Sequence, residues 1–143
     1  MRVVIDTNVF ISALLSSRSL PAQLVALWQK GHFSLLTSIE QIEELRRVTR
    51  YPKMRARLSP MLAGRLVNEL RRIATVLDDL PVVTICRDPW DNYLLATVEA
   101  GAANMLITGD KADLLSLDRH AGARIITVRQ FLELIGKAPQ ANN

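Results

Sequence analysis

Two aspartates in this sequence each close a short apolar segment. Asp6 follows Val3-Val4-Ile5, and Asp110 comes just after Met105-Leu106-Ile107-Thr108. Apolar runs of this length and composition are typical of strands buried in a parallel sheet. The carboxyl ends of such strands meet at one edge of the sheet, where open α/β sheets bind their ligands. We therefore expect Asp6 and Asp110 to face one site.

Two further acids are predicted to reach the same edge. Asp91 lies at the start of a helix opened by Asp88-Pro89, and Glu44 lies one turn into the helix that follows the second predicted strand. Each acid also has a simpler interpretation. Aspartates after a strand or before a helix are common caps, first-turn acids favour the helix dipole, and the glutamates could be solvated charges. The set as a whole favours a site.

Several carboxylates at one edge repel one another unless some are protonated or a cation lies between them. All-oxygen ligands suit hard cations, so Mg²⁺ or Mn²⁺ is expected rather than Zn²⁺. Neither His32 nor His120 has a histidine or cysteine partner at metal-ligand spacing, and Cys86 is the single cysteine. We interpret Cys86 as a buried structural thiol.

The elements that must position these acids alternate along the chain. Apolar strands separated by amphipathic helices predict a three-layer α/β/α fold with a central, mostly parallel sheet and Rossmann-like topology. Helices are predicted to begin at Ser19, at Thr37 or Ser38, and at Ser59, Asp88 and Thr127, and to end at glycines 31, 101 and 136 or before Pro52. Ser38 to Gln41 and Thr127 to Gln130 both fit a capping box.

Length and composition limit the number of domains and the kinds of partner that the chain can have. The 143 residues predict one domain over residues 1–136 with a polar tail at 137–143, and the net charge of +4 weakly favours a polyanionic partner. No apolar run approaches the roughly 20 residues of a membrane helix. The amino terminus lacks the pattern of a signal peptide, so a cytoplasmic protein is expected.

Four segments together resemble the PIN-domain ribonucleases, and most closely the VapC-like toxins of bacterial toxin–antitoxin pairs. The resemblance spans Arg2 to about Leu134 and is carried by Val3-Val4-Ile5-Asp6-Thr7-Asn8-Val9, Glu43-Glu44-Leu45-Arg46-Arg47-Val48, Asp88-Pro89-Trp90-Asp91-Asn92 and Ile107-Thr108-Gly109-Asp110-Lys111. It implies a PIN-like fold and a metal-dependent endoribonuclease.

The resemblance also implies roles for individual residues. The family's catalytic, metal-binding acids correspond to Asp6, Glu44, Asp91 and Asp110, which would hold one or two Mg²⁺ or Mn²⁺ ions. Supporting positions correspond to Asn8, Thr108, Asp88 and Asp113. Glu40 and Glu43 compete with Glu44 for the helix position, and Trp90 stands where relatives often carry a third acid. The implied reaction is metal-assisted hydrolysis of a phosphodiester bond, with no side-chain nucleophile.

A basic segment follows Glu44 directly. No acid occurs between Glu44 and Glu69, and the expected RNA-binding residues within this stretch are Arg46, Arg47, Arg50, Lys53 and Arg55. Such a segment suits sequence-independent contact with the RNA backbone, although a solvated helix face is the alternative.

The toxin resemblance further implies a small antitoxin partner and a homodimer. Two other interpretations stay open at this stage. One is a haloacid-dehalogenase-like phosphatase with Asp6 as nucleophile, although Asn8 stands where that class expects a second acid. The other is a PIN scaffold that binds RNA or protein without catalysis.

Overall fold

A single mixed sheet organises the computed structural model of the chain, which describes residues 1–109 and 111–137. Within those residues the strands are β1 (Arg2–Ile5), β2 (Ser34–Ser38), β3 (Thr75–Leu77), β4 (Met105–Thr108), β5 (Arg119–His120) and β6 (Ala123–Thr127). The strand order is β3-β2-β1-β4-β6-β5. All neighbouring pairs are parallel except β5 with β6. The predicted α/β class is confirmed.

Helices cover both faces of the sheet. They are α1 (Thr7–Leu15), α2 (Leu20–Gln29), α3 (Ile39–Thr49), α4 (Pro52–Arg55), α5 (Pro60–Arg72), α6 (Pro89–Gly101), α7 (Ala112–Leu115) and α8 (Val128–Lys137). Successive strand residues point to opposite faces. Val3 and Ile5 therefore join a core with α1, α2, α3, α5 and α8, whereas Val4 joins a second core with α6 and α7. This is the predicted three-layer arrangement.

Most predicted helix starts are confirmed by side-chain caps. Ser19, Ser38, Ser59 and Asp88 each accept a hydrogen bond from a backbone N–H of the first turn. Thr127 and Gln130 form a reciprocal capping box, with bonds of 2.9 and 3.1 Å. These bonds satisfy donors that helix geometry leaves free, which explains why local sequence located the starts.

The predicted end of α6 at Gly101 is wrong by one residue, and the reason is packing. Gly101 lies within the helix, and the left-handed residue is Ala102, with φ 49°. A Cβ on Gly101 would lie 2.6 Å from Leu36 Cδ1 and 3.1 Å from Leu77 Cδ1. The glycine therefore serves close packing of α6 on the sheet rather than a positive φ.

Other differences are small. The residues from His32 to Leu36 predict the second strand, which in the structure spans Ser34–Ser38. The short elements α4, α7 and β5 were not predicted. Cys86 is half-buried rather than buried. The predicted tail begins at Lys137, the last residue described, and residues 138–143 lie outside the described part. Within the described residues no single helix is long and apolar enough to cross a membrane; α1 and α2 satisfy the criterion only as a pair, bent by 104°.

Candidate active site at the carboxyl edge of the sheet

Asp6 lies at the carboxyl end of the central strand, where the backbone turns into α1. It is 2% exposed, and Oδ1 accepts a hydrogen bond from the backbone N–H of Asn8 at 3.2 Å. Oδ2 accepts from the Thr108 hydroxyl at 2.8 Å. Burial raises the pKa of Asp6 above its ordinary value, and the Lys111 ammonium is the main opposing influence. Asp6 is thus both the cap of α1 and a buried acid whose negative charge costs free energy.

The contact between Asp6 and Thr108 comes from strand pairing. β1 and β4 are parallel neighbours, with Ile5 opposite Ile107, so residues about 100 positions apart end at the same point. The hydrogen bond from Thr108 to Asp6 confirms the prediction that β1 and β4 end at the same point of the sheet edge. Asp110 lies outside the described residues, so its place at this edge stays a prediction.

Asp91 enters the same edge from the other helical layer. It lies in the first turn of α6 and is 3% exposed. Lys111 Nζ donates to Asp91 Oδ1 at 2.9 Å and lies 3.8 Å from Asp88 Oδ2. Burial alone would lower the pKa of Lys111, but the hydrogen bond to Asp91 and the charges of Asp6, Asp91 and Asp88 raise it. Lys111 is therefore a charged counter-ion inside the site.

Glu44 is the glutamate of α3 that faces this edge. Burial raises its pKa, a hydrogen bond with Thr7 opposes the shift, and the charge of Asp6 adds to it. Glu43 points elsewhere and lies 3.5 Å from Arg46 and 3.7 Å from Arg71. Glu40 lines a separate cavity. We refer to Asp6, Glu44 and Asp91 as the acidic cluster.

Sequence reasoning missed the buried polar residue that organises the floor of this edge. Gln41 Nε2 donates to the Ile5 carbonyl at 2.6 Å and to Thr7 Oγ1 at 3.4 Å, and its Oε1 accepts from Thr37 at 2.6 Å. The predicted capping box is therefore half right. Ser38 Oγ accepts from the Gln41 N–H, but the Gln41 side chain reaches across to β1 instead of back to Ser38. Gln41 thereby orients Thr7, the hydrogen-bond partner of Glu44.

The other residues predicted to support the site, Asn8, Asp88 and Asp113, make fewer contacts with the acidic cluster. Asn8 is exposed and contributes its backbone N–H, and Asp88 caps α6 while facing Lys111. Asp113 is exposed on α7. Burial raises the pKa of the Cys86 thiol, and the charges of Asp91, Asp113 and Asp88 add to that shift. Asn92 bonds both backbone groups of Cys86 and so fixes the loop before α6.

The carboxylate oxygens of the acidic cluster suit a hard cation, but they do not lie close enough together to surround one. Within residues 1–109 and 111–137, no group of three His, Cys, Asp or Glu side chains is close enough to hold a metal ion. The acidic cluster offers carboxylate oxygens, whose buried charges Lys111 neutralises in part. Carboxylate oxygens are the ligands that Mg²⁺ and Mn²⁺ prefer.

The basic segment divides into two parts in the structure. Three of its predicted residues, Arg46, Arg50 and Arg55, join Arg71 around a cleft of about 570 Å³ between α3, α4 and α5, which we call the arginine cleft. Arg47 turns the other way, and its guanidinium lies 5.2 Å from the centre of the Trp90 ring. Lys53 is exposed on α4. Arg71 reaches this cleft through the packing of α5 against α3, and the sequence alone did not predict that packing.

The fold and the acidic cluster define an α/β protein whose buried acids gather at the carboxyl edge of a parallel sheet. Residues 2–112 match the PIN domain family, and the chain belongs to that family. A protein of Methanocaldococcus jannaschii named Uncharacterized protein MJ1680 is 32% identical over 124 residues, which cover 82% of this chain and 75% of that protein. The match confirms the resemblance to the PIN-domain family noted in the sequence. PIN domains are a nuclease family whose members generally use divalent metal ions.

Proposed function

We propose that this protein is a Mg²⁺- or Mn²⁺-dependent endoribonuclease that hydrolyses RNA phosphodiester bonds. The observation that carries the proposal is the acidic cluster, in which three segments of a PIN-family chain bring carboxylates to one edge of the sheet. Family membership favours this function over the phosphatase interpretation of Asp6. The position of the arginine cleft on α3, the helix that also carries Glu44, supports a polyanionic substrate.

Asp6, Glu44, Asp91 and Asp110 are the residues proposed to hold the cation. When bound, Mg²⁺ or Mn²⁺ supplies a water of lowered pKa and stabilises developing charge on phosphate oxygens. The chain's own residues prepare the site for it. Thr108 and the Asn8 N–H orient Asp6, and Thr7 orients Glu44. The arginines would hold the RNA backbone beside this edge without reading its sequence.

We expect the Lys111 ammonium and a divalent cation to compete for the Asp91 carboxylate. The variant Lys111→Met tests this competition. Removal of the ammonium leaves the buried Asp91 carboxylate without the bond that now measures 2.9 Å. An unpaired buried charge is strongly destabilising. We expect a lower melting temperature in chelator than for the wild type, and a larger rise on adding Mg²⁺ or Mn²⁺. Equal metal-induced shifts in the two proteins would contradict competition at Asp91.

The direct test incubates purified protein with structured and unstructured RNA in Mg²⁺, Mn²⁺ or chelator. We expect cleavage with either ion and none in chelator. An Asp6→Asn protein purified in the same way controls for contaminating ribonucleases. If intact RNA persists with both ions while the protein still binds RNA, the non-catalytic scaffold is the correct interpretation.

We further propose that the nuclease acts as the toxin of a toxin–antitoxin pair and forms a homodimer. Support comes from the VapC-like motifs in the sequence, and an antitoxin would be a small protein covering the acidic cluster. Expression of the wild type in a bacterial host should then arrest growth, whereas Asp6→Asn should not. Equal growth of the two strains would remove the toxin role and leave the nuclease activity to be judged by the RNA assay.

A further inference from the structure

A second cavity, of about 410 Å³, opens beside the first turns of α6. Its volume falls within the range of small-molecule sites. The lining is mainly apolar, with one aromatic ring and one carboxylate, and its residues include Tyr93, Pro81, Val82, Pro89 and Glu40. Neither the acidic cluster nor the arginine cleft accounts for this cavity.

The outer wall of the cavity is the segment that joins β3 to α6. Residues 80–84 belong to no helix or strand. Val82 is 92% exposed, and Tyr93 on the facing helix is 40% exposed. Apolar side chains on both sides of the opening are thus in water and available to contact a flat, largely apolar group.

The Tyr93 ring is connected to α3, the helix that carries Glu44, through two contacts. Its centroid lies 5.2 Å from that of Trp90, with the rings inclined by 62°. The Arg47 guanidinium lies over the other aromatic ring, 5.2 Å from the Trp90 centroid, and Arg47 belongs to α3, the helix that carries Glu44. A cation over an aromatic face and an edge-to-face ring pair are both favourable contacts. They link Tyr93 through Trp90 to the helix that carries Glu44.

We propose that this cavity is a nucleobase subsite, in which an unpaired base of the RNA stacks on Tyr93. The proposal rests on the proposed function, because it makes the base a neighbour of the bond to be cleaved. Every base offers a π face, so stacking on an aromatic ring tolerates any sequence. Glu40 lines the cavity and can accept a hydrogen bond from an N–H on the base edge, and Arg47, on the Trp90 ring next to Tyr93, would meet the adjoining phosphate. Only a base free of its helix can enter, as in a loop or single strand.

The variant Tyr93→Leu removes the ring while keeping an apolar side chain, and Tyr93→Phe keeps the ring as its matched control. Binding is measured by fluorescence anisotropy with a labelled single-stranded RNA oligonucleotide in chelator, so that no cleavage interferes. We expect about tenfold weaker binding for Tyr93→Leu, the usual effect of losing one base–aromatic stack, and near wild-type binding for Tyr93→Phe. Melting temperatures of both variants check that the fold is intact.

A second measurement separates stacking from a merely structural role of Tyr93. A set of oligonucleotides carries one abasic nucleotide at each position in turn. The wild type should lose about tenfold in affinity at one position, and Tyr93→Leu should show no further loss there, because the two changes remove the same contact. A flat abasic profile for the wild type, an unchanged profile in Tyr93→Leu, or absence of RNA binding would overturn the subsite. The nuclease proposal fails separately, when RNA that is bound stays uncut with Mg²⁺ and Mn²⁺.

Discussion

Asp6→Asn is expected to raise the melting temperature of the metal-free protein and, in the same molecule, to abolish RNA cleavage. The Asp6 carboxylate is 2% exposed, and its burial raises its pKa. A raised pKa in the folded state means that ionisation at neutral pH favours unfolding. Asparagine keeps the shape, can still cap α1 and can still bond Thr108. The substitution therefore removes the buried charge while preserving the local hydrogen bonds.

The sign of this effect gives it a pH dependence. Below the ordinary aspartate value of 3.8, Asp6 is protonated in both folded and unfolded states, so the two proteins should differ little. As the pH rises through the higher folded-state pKa, the wild type loses stability that the asparagine variant retains. The difference in melting temperature should grow as the pH rises from 3.8 to the folded-state pKa of Asp6, and should stay constant above that pKa.

Loss of activity is the other half of this prediction. Substitutions of residues that merely support metal ligands commonly cost 10- to 100-fold, so loss of a proposed ligand should reduce cleavage by more than about 100-fold. We expect Mg²⁺ to raise the melting temperature of the wild type but not that of Asp6→Asn. Asp79→Asn, an exposed acid outside the site, is the matched control and should change neither property. An unstabilised Asp6→Asn protein in chelator, or one that cleaves RNA normally, would contradict the role given to Asp6.

Replacing Arg46, Arg50 and Arg55 together with glutamine should weaken RNA binding and flatten its dependence on salt. These side chains line the arginine cleft. Each phosphate contact to a single strand contributes about 0.7 to the slope of log affinity against log salt, so loss of three contacts should reduce that slope by about 2. The measurement is a set of binding isotherms at several salt concentrations.

The chain provides a control with the same change in charge. Arg119, Arg124 and Arg129 are exposed and belong to β5, β6 and α8, towards the other edge of the sheet from β2 and β3. Their replacement by glutamine should leave the slope close to that of the wild type. The lost ion pair between Arg46 and Glu43 is exposed and should affect stability little. If the two triple variants show equal slopes, the arginine cleft does not bind the RNA backbone.

Local sequence was sufficient for the strands and most helix starts, because the forces that specify them act over a few residues. Val3-Val4-Ile5 forms a buried strand through its own apolar, β-branched side chains, and Ser19, Ser59 and Asp88 cap donors within their own first turns. The meeting of Asp6 with the end of β4 also followed, since parallel strands end at a common edge. The positions of Glu44 and Asp91 near the starts of predicted helices also placed them at that edge, and the family motifs supported both.

Tertiary structure alone decided which polar groups touch. The choice of Glu44 over Glu43, the bond of Lys111 to Asp91, the reach of Gln41 to β1 and the arrival of Arg71 in the arginine cleft all join segments far apart in the chain. Such contacts depend on how helices rotate and pack over the sheet, which hydrophobic patterns constrain to a face but not to a particular partner. The sequence determined where buried charge would gather, and the packing of the helices determined what neutralises it.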